Sequence, residues 1–190
     1  MTKQEFWLSF ERHMPQLQKL ISGETHDFDA YNDLSDDLRQ FNEYLVPEIT
    51  MDTGNQFVLV ISCDGNRRGI SALEQLTEGI DNYPTWKIVK YRQAGLMEFI
   101  PLNGHNVKRR DILLTWDKTA AGKYTLTFYL KWRLNAQVYQ SGAILHLDHT
   151  IGEYNAMTKI EAVEFKSLKL FKSKVGLKTL DDLKTDFDNH

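Results

Sequence analysis

Phe57-Val58-Leu59-Val60-Ile61-Ser62-Cys63-Asp64-Gly65-Asn66-Arg67-Arg68-Gly69-Ile70 is the stretch on which the reading of the fold turns. Its first five residues are apolar on both alternating faces and rich in β-formers, which marks a central strand. Asp64-Gly65-Asn66 then supplies turn chemistry. Ile70, Leu73, Leu76 and Ile80 follow at helical spacing on one face. Upstream, the β-prone run 48–51 reaches this strand through Asp52-Thr53-Gly54-Asn55, a hairpin turn. Downstream, Asn82-Tyr83-Pro84 closes the helix and 86–91 reads as the next strand. The order is β-β-α-β.

The same order returns after a connector at 93–108, punctuated by Gly95, Pro101 and Gly104. Residues 111–116 and 124–132 read as strands around a turn at 118–122, 137–151 as a helix and 159–168 as a closing strand. Ile80-Asp81-Asn82-Tyr83 is echoed by Ile151-Gly152-Glu153-Tyr154, each ahead of its closing strand. Internal duplication and a coincidence of a common element order both remain open.

Ahead of the first unit, Thr2 and Glu5 form a capping-box pattern. Phe6, Phe10, Met14, Leu17 and Ile21 draw an apolar stripe, and Pro15 is expected to kink or break it near residues 12–14. Tyr31, Leu34, Leu38, Phe41 and Leu45 mark a second helix over 28–44. The acidic cluster at 27–37 reads as a solvated face and helix-start charge. The fold expected is therefore α+β: a helical hairpin (1–45), a first β-β-α-β unit (46–92), a second (109–168) and a tail with a short helix (169–190). About six strands are expected in one mostly antiparallel sheet, with the helices on one face. A single shared core, and hence one cooperative unfolding transition, is expected of this 190-residue domain.

The bulk properties exclude several function classes. The formal net charge of −3 argues against a dedicated nucleic-acid binder. The single cysteine, Cys63, forbids an intrachain disulfide, and neither a secretory leader nor a membrane span is legible. A cytoplasmic protein without membrane attachment or cofactor is expected, with homo-oligomerisation open.

Several short motifs carry a resemblance: Phe6-Trp7 with Phe10, Ile61-Ser62-Cys63-Asp64-Gly65-Asn66-Arg67, Ile151-Gly152-Glu153-Tyr154 with Val163-Glu164-Phe165, and Leu180, Leu183 and Phe187-Asp188. Together they resemble an uncharacterised family of conserved bacterial proteins, a domain of unknown function. The resemblance implies a bacterial cytoplasmic protein and brings no activity or catalytic residue with it.

Three candidate sites follow from residue chemistry. Asp64, Gly65, Asn66, Arg67 and Arg68 sit where a strand feeds a helix, so backbone amides and two arginines suit an anionic ligand. The spacing fits neither a P-loop nor a dinucleotide fingerprint, and a turn with solvated arginines explains it equally. Cys63 beside that helix start would be a nucleophile only if a base such as His105, His146 or His149 reached it; a buried structural thiol is the plainer account. His146, His149 and Glu153 fall along one helix edge as potential metal ligands, against surface histidines.

The third candidate is the lysine-rich tract 165–178, with Lys166, Lys169, Lys172, Lys174 and Lys178. It suits an acidic partner, or a guarded edge strand. Lys108-Arg109-Arg110 reads as a loop charge cluster. Trp86, Trp116 and Trp132 read as core rings, with an aromatic pocket as the alternative. No complete catalytic set is legible. A non-enzymatic binding or protein-interaction module is the leading expectation, and an enzyme or binder of a small anion at 64–69 the alternative.

Overall fold

The computed structural model describes residues 1–80, 83–131, 136–168 and 176–189. Trp132, Lys169, Lys172, Lys174, Asp81 and Asn82 lie outside that set. The chain divides into two compact units, Met1–Arg92 and Gln93–His190.

In the first unit, α1 (Lys3–Ser22) starts on the expected capping box. The Glu5 amide donates to Thr2 Oγ1 at 3.3 Å and the Thr2 amide to the Glu5 carboxylate at 2.7 Å. Of the kink or break expected at Pro15 the structure shows no break: the helix runs through it. A buried proline-free stripe explains why: Phe6 and Phe10 before it and Leu17 after it are all fully buried. That burial outweighs the lost hydrogen bond and the ring clash, together about 3 kcal/mol. Gly23, at φ 77°, closes the helix in the left-handed region. The second helix, α2 (Asp29–Phe41), is shorter than expected and buries Leu34 and Leu38.

Strands β1 (Val46–Met51) and β2 (Phe57–Ser62) form the antiparallel hairpin. Helix α3 (Ile70–Thr77) then carries the chain to β3 (Trp86–Lys90), which pairs with β2 in parallel. Beneath the sheet lies an aromatic cluster in which Phe10 meets Trp86, Tyr83 and Trp7 edge-on, at ring-centroid distances of 5.2, 5.7 and 5.8 Å. Trp7 Nε1 donates to the Leu76 carbonyl at 2.9 Å, tying α1 to α3. Trp86 is thus a core ring, with no exposed surface.

The second unit opens with a hairpin where a connector was expected: β4 (Phe99–Leu102) pairs with β5 (His105–Lys108). Asn103 and Gly104 close it with φ values of 46° and 76°, as a two-residue turn with both residues left-handed requires. Next come β6 (Leu113–Lys118), β7 (Tyr124–Lys131), α4 (Ala136–Ile151), α5 (Glu153–Lys159), β8 (Ile160–Leu168) and α6 (Leu180–Asp188). Trp116 is half-buried, and the Lys178 ammonium lies 4.0 Å from its ring centroid.

The expectation of one mostly antiparallel sheet is corrected. Two separate three-stranded sheets, β1-β2-β3 and β6-β7-β8, are both mixed, and β4-β5 stands as a third, two-stranded sheet. In each larger sheet the first pairing is antiparallel and the second parallel. The cause is the helix in each unit. A helical crossover returns the chain to the same end of the sheet, so the strand after it runs parallel to the strand before it. Both larger sheets share these pairing directions, although the second crossover holds two helices, α4 and α5, where the first holds α3.

Candidate functional site

The β2-to-α3 loop is built from its own hydrogen bonds. Asp64 and Gly65 adopt φ values of 47° and 75°, and Tyr91, at the end of the neighbouring parallel strand, adopts 60°. Left-handed backbone at non-glycine positions is costly and concentrates where function demands it. The Asp64 amide donates to Ser62 Oγ at 2.9 Å and the Arg68 amide to Asn66 Oδ1 at 3.1 Å. The Asn66 and Gly69 amides donate to the carbonyls of Cys63 and Asn66. Four of the amides at the end of the loop are therefore committed, whereas an anion cradle needs such donors available.

Side chains complete the cluster. Arg92, nearly buried, donates from Nη2 to the Asp64 carboxylate at 2.8 Å and from Nε to Glu48 on β1. Arg68 Nη1 donates to the Tyr44 hydroxyl at 3.3 Å. Asp64 and Asn66 are thus brought together with Arg92, Glu48 and Tyr44, which the sequence reading did not include. The signal for them was strand order: β1 and β3 flank β2, so their ends converge on its loop. Cys63 is fully buried, and a Cβ on Gly69 would lie 2.9 Å from its Sγ.

His146 is fully buried, which corrects the reading of these histidines as surface groups; His149 is half-buried, and Glu153 is fully buried. His146 Nε2 lies 2.9 Å from the Val107 carbonyl of β5. A carbonyl only accepts, so Nε2 carries the proton, and Nδ1 is buried with no hydrogen-bond partner among the described residues. Among the described residues no group of three or more His, Cys, Asp or Glu side chains is placed to hold a metal ion. Arg109 is also buried, not part of a loop charge cluster. Its guanidinium donates to Thr150 Oγ1 at 2.8 Å and to Asp181 at 2.7 Å, and the Thr150 hydroxyl donates to the His146 carbonyl at 2.5 Å.

Burial holds the His146 imidazole below its ordinary pKa of 6.5, and the nearby Arg109 charge adds to this against the Val107 hydrogen bond. The unfolded chain therefore takes up a proton first as pH falls through 6.5. Stability from this group is intact above 6.5 and declines as pH drops toward the lower folded-state value. Urea midpoints between pH 7.5 and 5.5 are expected to fall more in the wild type than in His146→Gln, whose amide can still donate to Val107. Equal pH slopes would contradict this.

A different surface lies along β1. Asp52 N donates to Gln56 O at 2.9 Å, which sets the ladder phase. In an antiparallel pair successive residues point their N–H and C=O alternately toward and away from the partner strand. Val46, Glu48 and Thr50 consequently face β2, while Pro47, Ile49 and Met51 face outward. The Tyr31 hydroxyl from α2 donates to the Pro47 carbonyl at 3.0 Å. Beyond Pro47 the edge is uncovered: the outward groups of Ile49 and Met51 have no hydrogen-bond partner among the described residues.

Beside this edge runs a groove of about 540 Å³ lined by Leu20, Ile21, Phe28, Tyr31, Glu48, Ile49 and Thr50. Phe28 is 55% exposed and Met51 40%. Three consecutive strand residues line the groove, as they must where an opening follows the backbone edge and not one face. No sequence motif announces it.

No family model matches the chain, and no curated protein matches it either. Among the described residues no helix is long and apolar enough to cross a membrane.

Proposed function

We propose that the protein is a non-enzymatic protein-interaction module whose docking surface is the groove beside β1. The observation that supports this most is the uncovered backbone edge at Ile49 and Met51 next to an apolar groove with an exposed Phe28. Unpaired strand edges are normally covered, charged or twisted away because they template pairing. The antiparallel-then-parallel pairing shared by the two larger sheets accords with an internal duplication, and the motifs noted above with membership of the conserved bacterial family. Residence in the cytoplasm belongs to the same proposal.

The second reading is an enzyme or binding protein for a small anion at Asp64, Gly65, Asn66, Arg67 and Arg68. The left-handed Asp64, Gly65 and Tyr91 gathered at the ends of two parallel strands favour it. The committed loop amides weigh against it. One titration separates the two readings. In amide NMR spectra of the full chain, a mixed decapeptide library is expected to move the resonances of Tyr31, Ile49 and Thr50. Inorganic phosphate is expected to leave Gly65, Arg67 and Arg68 unmoved. Saturable phosphate shifts in the loop, with none from peptides at the groove, would overturn the interaction reading.

A further inference from the structure

We infer that the outer edge of β1 accepts a basic, extended polypeptide segment as an added strand, an inference that rests on the docking surface proposed above. The main chain supplies the first part of the case. Ile49 and Met51 each present an N–H and a C=O outward, spaced two residues or roughly 7 Å apart. That is the repeat an incoming strand needs to form successive ladder pairs. Pro47 and the Tyr31 hydroxyl block the edge at one end only, which leaves the open register from Ile49 onward.

The two edges of this sheet are treated differently. β3, the opposite edge, carries Lys87 and Lys90, charged residues of the kind that discourage pairing. β1 carries no lysine or arginine at all, and its outward positions are Pro47, Ile49 and Met51. Ile49 also lies on the groove, with Leu20, Ile21, Phe28 and Tyr31 as apolar walls. A partner side chain entering beside Ile49 would be apolar, since most of the lining is apolar and two of its polar groups are already engaged, the Tyr31 hydroxyl with the Pro47 carbonyl and the Glu48 carboxylate with Arg92, which leaves Thr50 at the margin.

Charge identifies the rest of the occupant. From Lys19 to Asp52, the stretch that builds the groove, nine residues are acidic and only Lys19 and Arg39 are basic, in a chain whose net charge is just −3. Asp27, Asp29 and Asp33 are exposed beside Phe28 in sequence. A segment alternating apolar residues with lysine or arginine complements both the apolar lining and the acidic charge of the segments that supply it. An acidic or purely apolar segment complements only one of them.

The test uses the full chain, 15N-labelled, and two end-blocked hexapeptides, Lys-Val-Lys-Val-Lys-Val and Glu-Val-Glu-Val-Glu-Val. The lysine peptide is expected to shift the Ile49 and Met51 amides and slow their hydrogen exchange by about tenfold or more. The glutamate peptide is expected to bind at least about tenfold more weakly. Met51→Pro removes an outward N–H that the β1–β2 ladder does not use, so exchange protection at Ile49 is expected to vanish while the melting curve stays close to wild type. Should that variant fold poorly, N-methylation of alternate peptide amides gives the same readout on the wild-type chain: one methylated set is expected to bind and the other not. Equal response to both peptides, or shifts without slowed exchange at Ile49 and Met51, would overturn strand addition. Library peptides that still moved the groove resonances would leave the docking surface standing; silence from the library as well would remove both.

Discussion

Phe10→Ala is expected to destabilise the Met1–Arg92 unit by about 3–5 kcal/mol, the largest loss for any single substitution considered for it. Phe10 has no exposed surface and is the ring that three others share: Trp7, Tyr83 and Trp86 all meet it edge-on within 6 Å of centroid distance. Truncation removes the buried area and leaves a cavity that rigid neighbouring rings cannot close. Each edge-to-face pair contributes a further ~0.5–1.5 kcal/mol beyond area burial. Urea unfolding followed by tryptophan fluorescence is the measurement, since Trp7 and Trp86 report from the cluster itself. Leu8→Ala, on the exposed side of α1, serves as the control and is expected to change stability by less than about 0.5 kcal/mol. A similar small change for Phe10→Ala would mean that α1 is not anchored to the sheet through this ring.

Gly142→Ala is expected to cost the second unit about 2 kcal/mol, despite alanine being the better helix former by about 1 kcal/mol. The sign follows from contact distance. A Cβ at position 142 would lie 2.7, 2.7 and 2.8 Å from three side-chain carbons of Val107. Val107 is fully buried on β5 and branched at the Cβ that is itself too close, so rotation about χ1 gives no escape. The helix and the β4–β5 hairpin have to separate. Val107→Ala in the same chain removes two of the three close carbons and leaves only the Cβ, so the clash is partly relieved and the double-mutant cycle is expected to return a favourable coupling of about 1 kcal/mol. Additive losses would show that α4 and β5 are not in contact at this point.

That same contact explains what the sequence reading could and could not reach. The central strand, the turn at Asp64-Gly65-Asn66, the capping box at Thr2 and the first β-β-α-β order were legible, because each rests on local periodicity or cap chemistry; in the second unit the short helix α5 before β8 was not read. The β4–β5 hairpin was misread as a connector: Pro101 and Gly104 looked like punctuation. Yet Asn103-Gly104 is a strong two-residue hairpin signal. With Leu102 paired to His105, Pro101 falls at an outward position where its missing N–H is not needed.

One error then produced another. Without the hairpin, α4 was given a single packed face, and His146 was placed on the solvent side. In the structure α4 packs on β7 and also on β4 and β5, so both sides are covered and His146 meets the Val107 carbonyl. Arg109 was misjudged for the same reason, since it leaves β5 to bond Thr150 on α4 and Asp181 at the start of α6. Pairing direction was beyond reach for a different reason. Whether β3 and β8 lie beside the strand preceding their helix, and therefore run parallel to it, depends on tertiary placement and not on any local pattern.

The loop at Asp64 and the groove at Ile49 meet through one residue. Glu48 lines the groove and accepts from Arg92, which also holds Asp64. The loop thereby braces the strand whose opposite edge is uncovered. Its arginine-carboxylate contacts serve the position of β1, and the proposed docking follows from what that position exposes.

Amide hydrogen exchange on the unliganded chain tests this most directly, residue by residue along β1. Glu48, Thr50 and Asp52 are expected to exchange slowly because their N–H groups enter the β2 ladder, whereas Ile49 and Met51 exchange fast because theirs face outward with no partner among the described residues. Slow exchange at Ile49 and Met51, equal to that of their neighbours, would mean the edge is already covered and would contradict the proposed docking surface.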